Sequence, residues 1–132
     1  MLEKHFAKFP FLLGERPASS DFSLFGQLSQ LIGFDPTSRK IAHEISPRTV
    51  AWVSLMEDLS GLEVSDDDWM QNELPESVEN IFKEIGRVYV PALLANEIAF
   101  KKEEKTWEVP IDDSNWSQNT FPYQVKCLNW IN

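Results

Sequence analysis

The sequence predicts an all-α fold, a helical bundle around one buried central helix, on three observations. Apolar residues recur at helical spacing along most of the 132 residues. Segment 19–33 is apolar on two faces, which is typical of a helix surrounded by others. An apolar share of 42%, with nine Phe and five Trp, supplies a large core. We therefore expect residues 1–132 to form a single helical domain.

The first half of the chain carries clear helix boundaries. Residues 2–8 read as the end of a helix, and Pro10, Gly14 and Pro17 punctuate the turn that follows. The spacing predicts the central helix over 19–33, with Asp21 in its first turn, where a negative charge complements the helix dipole. We expect a short helix after residue 36 and another at 47–60 that begins after Ser46.

The second half predicts one long helix, a small hairpin and a closing helix. Apolar spacing continues from residue 75 to about 102, and Pro91 should bend this helix by removing one hydrogen bond. Residues 62–76 are acidic and irregular, which predicts a loop. Alternation over 106–109, followed by polar residues at 112–115, indicates a small β-hairpin near the C-terminus. Residues 122–131 predict a short final helix.

The charge balance excludes several partner classes. The chain holds 21 acidic and 12 basic residues, a net charge of −9. This charge repels phosphate backbones and anionic membrane surfaces, and no basic stripe offsets it. We therefore expect neither a nucleic-acid nor a membrane partner.

The cellular compartment is predicted from what the sequence lacks. The N-terminal residues do not look like a signal peptide, and no apolar run is long enough for a spanning helix. Cys127 is the only cysteine and has no internal disulfide partner. These features favour a reducing cytoplasm.

Metal sites receive little support from the residue spacing. His5 and His43 do not form a ligand pair, and we interpret both as surface residues. In the acidic loop, Asp66 and Asp68 fit the first ligand positions of a calcium loop. Met70 occupies the third position and Gln71 replaces the required glycine, so a solvated loop is the better interpretation. We predict no metal.

No residue is a convincing catalytic group. Cys127 lacks a neighbouring base and reads as a buried, inert thiol. Tyr89 and Tyr123 would need a charged neighbour that the sequence does not reveal. Hydrolase and phosphate-binding motifs are absent. Most of the tryptophans should serve the core, and Trp69 and Trp116 are the two that core packing explains least.

One segment carries a family resemblance. Gly14-Glu15-Arg16-Pro17-Ala18-Ser19-Ser20-Asp21 resembles the G-x-x-P-[S/T]-x-A-D sequence that leads into the central buried helix of the C-terminal domain in the glutathione S-transferase superfamily. The segments "FSLFGQLSQL" and "SPRTVAWVSLMEDLSG" also resemble bacterial members, and "FPYQVKCLNWI" resembles the C-terminus of one bacterial branch. The resemblance covers most of the chain and is strongest over 9–61.

One departure of the helix-start motif Gly14, Pro17 and Asp21 from the family matters for capping. The capping Ser or Thr of the family falls at Ala18, so the side-chain half of the capping box is missing. We expect Ser19 or Ser20 to cap the helix instead. Losing a good cap costs about 1 kcal/mol, which a well-packed helix tolerates.

The resemblance implies a function that this chain shares with a second domain. In the family, a thioredoxin-like domain binds glutathione and supplies the catalytic residue, and nothing in this sequence corresponds to it. An excised domain, a truncated reading frame and a stand-alone descendant all fit. The helical domain would then contribute the apolar wall for the electrophile, without catalysis by this chain alone. Phe22, Tyr89 and Trp116 are the candidate substrate-binding residues, with glutathione as co-substrate of the full enzyme.

A second interpretation belongs to another class of function. A helical domain without its thioredoxin-like partner exposes an apolar face, and proteins rarely leave a large patch of this kind uncovered. The chain would then be an interaction module that forms a homodimer or binds a thioredoxin-like domain or another protein. A small hydrophobic ligand is compatible with either interpretation.

Overall fold

A computed structural model describes residues 1–70 and 74–131, without the side chain of residue 131. Helices make up 61% of the chain. The α-helices are α1 (Leu2–His5), α2 (Ser19–Gly33), α3 (Pro36–Ile45), α4 (Pro47–Met56), α5 (Glu76–Glu84), α6 (Val90–Lys101) and α7 (Pro122–Ile131). A 3₁₀ turn covers Asp66–Asp68, a π-helical turn covers Ile85–Tyr89, and strands β1 (Thr106–Ile111) and β2 (Ser114–Asn119) form a two-stranded antiparallel sheet.

The chain divides into two compact units, Met1–Asn80 and Ile81–Asn132. In the first unit, α2, α3 and α4 pack against one another and α1 packs on α4. The core of this unit is a cluster of buried apolar residues: Phe11, Ile32, Trp52, Val53 and Met56. In the second unit, α6 is the central element and contacts both β1 and α7. The single-domain expectation stays a prediction.

The prediction of an all-α, glutathione-transferase-like bundle with a buried central helix is wrong, although the small β-hairpin that is part of the same prediction is present. Twelve residues form the two strands of a sheet, and helix α2 is not enclosed. Phe22 is 54% exposed and Leu31 is 47% exposed, while only Asp21 and Ile32 of this helix are buried. Apolar residues on two faces therefore do not mean burial on two faces, because α3 and α4 cover only part of the α2 surface.

Some of the predicted element boundaries agree with the structure and others differ from it. The predicted span of the central helix, residues 19–33, matches α2, and the hairpin lies where the alternation indicates. Helix α1 ends at His5, earlier than predicted, and α4 ends at Met56, before Gly61. Ser46 is the N-cap residue of α4, but its hydroxyl makes no capping bond to that helix.

Another side chain caps α4 instead. The Glu3 carboxylate, from α1, accepts a hydrogen bond from the Arg48 backbone N–H at 2.8 Å and another from the Arg48 guanidinium at 2.9 Å. The Ser46 hydroxyl donates to the same carboxylate at 3.3 Å. A carboxylate at a helix N-terminus satisfies free N–H groups and complements the dipole. Glu3 therefore joins α1 to the start of α4.

Among the described residues, no helix has both the length and the apolar character that crossing a bilayer would require.

Candidate functional site

An aromatic cleft in the second unit is the candidate site. It encloses a cavity of about 450 Å³ between the helical segment around residue 89 and the hairpin. Cavities of this size suit small organic molecules. The cleft is lined by Val88, Tyr89, Ala92, Leu93, Trp107, Ile111, Asp112, Trp116, Gln118 and Gln124. Two of the three predicted substrate-binding residues, Tyr89 and Trp116, therefore line the same cleft.

The helical wall of the cleft contains the π turn. The Val90 N–H donates to the Ile85 carbonyl, five residues earlier, instead of the usual four. Pro91 follows directly, and its ring has no N–H and crowds the preceding turn. A wider turn accommodates the proline ring without ending the helix. The sequence predicts a bend here, and the structure accommodates Pro91 with a π turn that carries Val88 and Tyr89.

The hairpin forms the opposite wall through its pairing register. Trp107 lies opposite Gln118, and Val109 lies opposite Trp116. Residues directly opposite in an antiparallel pair share a face, as do alternate residues along a strand. The register therefore places Trp107 and Trp116 on one face of the sheet, together with Gln118.

The two tryptophans of the cleft differ in burial. Trp107 is 6% exposed, whereas Trp116 is 50% exposed and Tyr89 is 54% exposed. The indole N–H of Trp107 is buried and has no hydrogen-bond partner among the described residues. An unpaired buried donor costs about 1–3 kcal/mol, and a ligand or water that supplies an acceptor removes that cost.

An ion-pair cluster lies at the edge of the cleft. The Arg87 guanidinium donates to the Glu84 carboxylate at 2.6 Å and also contacts the Asp112 carboxylate. Hydrogen bonds from Arg87 lower the pKa of Glu84, and hydrogen bonds to the two carboxylates raise the pKa of Arg87. Asp112 is the first residue of the hairpin turn and has a positive φ of 52°, a conformation that Asp tolerates better than most residues. Arg87 therefore connects the π turn to the hairpin turn.

The helix-start motif forms a structural site in the first unit. Asp21 is fully buried, and its carboxylate accepts hydrogen bonds from the Leu12 N–H at 2.8 Å and the Ala18 N–H at 2.9 Å. Ala18 is the N-cap residue and has no side-chain acceptor, so only the Asp21 half of the capping box exists. Helix α2 begins at Ser19, and the buried Ser20 hydroxyl has no hydrogen-bond partner within residues 1–70 and 74–131, so the expectation that either serine caps the helix is wrong.

Gly14 brings the motif against the acidic loop. It forms β-bridges with Phe11 and Trp69 and has a positive φ of 132°. A Cβ atom at this position would lie 2.4 Å from the Asp68 carbonyl oxygen. Only glycine allows both this backbone conformation and this close approach. Trp69, which core packing explains poorly, lies 4.5 Å beneath the Arg16 guanidinium in a cation–π contact.

Two carboxylates of the acidic loop accept hydrogen bonds from protein groups. Asp66 accepts from Arg16 at 3.2 Å, and Asp68 accepts from the Ser65 N–H at 2.5 Å. Gln71 lies outside the described residues. Within residues 1–70 and 74–131, no three His, Cys, Asp or Glu side chains come close enough together to hold a metal ion.

The histidine and cysteine predictions have mixed outcomes. His43 is exposed, but the surface interpretation of His5 is wrong. His5 is fully buried, and both of its ring nitrogens have hydrogen-bond partners, the Ser77 hydroxyl and the Phe11 carbonyl, each at 3.0 Å. The carbonyl only accepts, so Nε2 carries the proton. Cys127 is half-buried, not fully buried.

The third predicted substrate-binding residue, Phe22, lies on α2 in the first unit and does not line the aromatic cleft. Sequence reasoning missed Trp107, Gln118 and Gln124 as lining residues. The alternation in the sequence already assigns Trp107 to one face of its strand. A two-residue turn at 112–113 then sets the register that places Trp107 opposite Gln118.

In comparisons with known proteins, the chain matches no family model, no curated protein and no solved structure.

Proposed function

We propose that this chain is a binding module that takes a small apolar molecule into the aromatic cleft, without catalysing a reaction by itself. The observation that carries the proposal is the convergence of Tyr89, Trp107 and Trp116 on one cavity of about 450 Å³. Apolar walls supply affinity, and the side-chain amides of Gln118 and Gln124 offer orienting hydrogen bonds.

The family resemblance adds a reaction context to this proposal. In that context the bound molecule is an apolar electrophile, and this chain supplies its wall. A thioredoxin-like domain or partner protein would bind glutathione as co-substrate and activate its thiol. Support comes from the Gly14, Pro17 and Asp21 motif, in which the carboxylate bonds the N-cap N–H as the motif requires.

Calorimetric titration tests the proposal. We expect dinitrobenzene, an unreactive analogue of aromatic electrophiles, to bind, and glutathione to give no heat with this chain alone. The Trp116→Ala variant should lose binding of dinitrobenzene, because one wall of the cleft is removed. The Trp130→Ala variant is the matched control, since Trp130 is also exposed but does not line the cleft. Equal binding by wild type and Trp116→Ala would contradict the proposal.

A second candidate function, self-association, rests on the surface of α6. Val90, Leu94 and Ile98 are all exposed and recur every four residues, which places them on one stripe of the helix. Among the described residues, more large hydrophobic side chains are exposed than are buried in the core. A stripe of this kind is self-complementary when two copies meet about a two-fold axis. The occupant we propose is therefore a second copy of this chain.

Sedimentation at high micromolar concentration tests self-association. We expect a dimer for the wild type and a monomer for Leu94→Lys, which places a charge in the middle of the stripe. Glu108→Gln is the control for the charge change, because it makes the net charge less negative by the same amount as Leu94→Lys and Glu108 is exposed on β1, off α6. A wild type that stays monomeric at this concentration excludes the dimer.

We also propose a cytoplasmic location, because a single cysteine without a disulfide partner suits a reducing compartment.

A further inference from the structure

Three aromatic side chains line the same cavity. Tyr89 comes from the π turn, Trp107 from β1 and Trp116 from β2. Among the described residues, none of the three rings stacks on another, so their faces are not occupied by one another. An aromatic face carries a partial negative charge and attracts a cation placed over it.

The ionised groups at the cleft and its edge carry a net negative charge. Asp112 is the one ionised side chain among the lining residues, none of which is Lys, Arg or His. Its partner Arg87 is shared with a second carboxylate, Glu84, so the three groups together carry a charge of −1. The whole chain has a net charge of −9. An anionic ligand would therefore meet repulsion both at the cleft and at long range.

We propose that the aromatic cleft is selective for an organic cation, a quaternary or methylated ammonium group attached to an apolar body. The cation would lie against the exposed ring faces of Tyr89 and Trp116 with the Asp112 carboxylate at the edge, and the apolar body would contact Ala92 and Leu93. Weakly hydrated ammonium groups lose little on leaving water, whereas a small metal cation would find too few oxygen ligands here. This inference rests on the proposed function, because it concerns the same cleft.

Three ligands of similar shape test the charge preference by calorimetry. They are benzyltrimethylammonium, its uncharged carbon isostere neopentylbenzene, and benzenesulfonate as the anion. We expect the cation to bind about five- to thirtyfold more tightly than the isostere, which spans the interval between a cation over exposed and over desolvated aromatic faces. The preference should grow at low ionic strength, because screening of Asp112 decreases. Benzenesulfonate should bind most weakly of the three.

Two variants separate the aromatic and ionic contributions. Trp116→Leu keeps an apolar wall but removes a ring face, so the preference for the cation should shrink while the isostere still binds. Asp112→Asn removes the carboxylate and retains a residue that tolerates the positive φ of 52°. This variant should lose the salt dependence. Trp130→Leu, outside the cleft, should change neither affinity.

The outcomes distinguish this inference from the proposed function. Equal binding of cation and isostere would overturn the charge selectivity and leave the binding of apolar molecules standing. Tightest binding of benzenesulfonate would likewise overturn it. Binding of none of the three, together with no binding of dinitrobenzene, would contradict the proposed function itself.

Discussion

The Asn96 side chain and the Phe121 backbone form two reciprocal hydrogen bonds. The Phe121 N–H donates to the Asn96 Oδ1 at 2.8 Å, and the Asn96 Nδ2 donates to the Phe121 carbonyl at 3.0 Å. Asn96 is fully buried on α6, and Phe121 directly precedes α7. The Asn96 amide therefore bonds both the N–H and the carbonyl of Phe121. These two bonds hold the start of α7 against α6.

Asn96→Ala should lower the free energy of unfolding by about 1–3 kcal/mol, because the fully buried Asn96 amide is removed and the Phe121 N–H loses its acceptor, while the Phe121 carbonyl keeps the Gln124 N–H as a donor. Urea unfolding followed by circular dichroism measures the change. Asn115→Ala is the matched control, since Asn115 is exposed on β2, and it should change the stability by less than about 0.5 kcal/mol. Similar losses for the two variants would contradict the role assigned to Asn96.

Gly14→Ala should destabilise the first unit by more than about 2 kcal/mol, because the new Cβ would lie 2.4 Å from the Asp68 oxygen at a positive φ. Gly26→Ala is the control: no atom lies within 4 Å of a Cβ at that helical position. This second variant should gain about 0.5–1 kcal/mol from helix propensity. Thermal unfolding compares the two. A neutral Gly14→Ala would mean that the acidic loop does not hold this position in solution.

Ala18→Ser should raise the stability by about 1 kcal/mol, because it supplies the missing capping hydroxyl. The Ala18 backbone already has the extended conformation of an N-cap, and the Asp21 half of the box is in place. Ala51→Ser, on the exposed face of α4, is the control and should lose a few tenths of a kcal/mol from helix propensity. If both variants lose stability, the Ala18 position does not function as a cap.

The stability contributed by Glu3 should depend on pH. Partial desolvation raises the pKa of this carboxyl, but the hydrogen bonds and charge of Arg48 outweigh it, so the pKa is lowered. A carboxyl with a lowered pKa in the folded state stabilises that state above its unfolded pKa, and the contribution is lost as the pH falls through the folded value. The urea midpoints of wild type and Glu3→Gln should therefore differ at neutral pH and converge in acid. A constant difference would contradict the capping of α4 by this carboxylate.

Helix and strand positions that depend on neighbouring residues could be predicted from the sequence, whereas contacts between distant residues could not. The bounds of α2 follow from Asp21 in the first turn and from Gly33, and the hairpin follows from alternation, because both signals act within a few residues. The burial of His5 and Asn96 depends on partners at Ser77 and Phe121, distant along the chain. No periodicity indicates such partners, and polar residues alone suggest a surface.

The cleft shows the same division. Tyr89 and Trp116 could be selected from the sequence as aromatic residues without an evident core role, but not as neighbours of one cavity. Their meeting depends on α6 packing against β1, which no local pattern specifies. Sequence reasoning also overestimated the burial of α2, because apolar content alone does not state how many neighbours a helix has.

The exposed apolar side chains of both units have a colloidal consequence. At neutral pH, a charge of −9 opposes aggregation by repulsion, even though Phe34, Ile45 and Trp130 are each more than two-thirds exposed. Near the isoelectric point of about 4.6 this repulsion vanishes while the apolar surface remains. We expect precipitation in mild acid before unfolding, and added salt should shift its onset toward neutral pH. Acid titrations of this protein therefore require dilute solutions, because acid neutralises the negative charge that opposes aggregation.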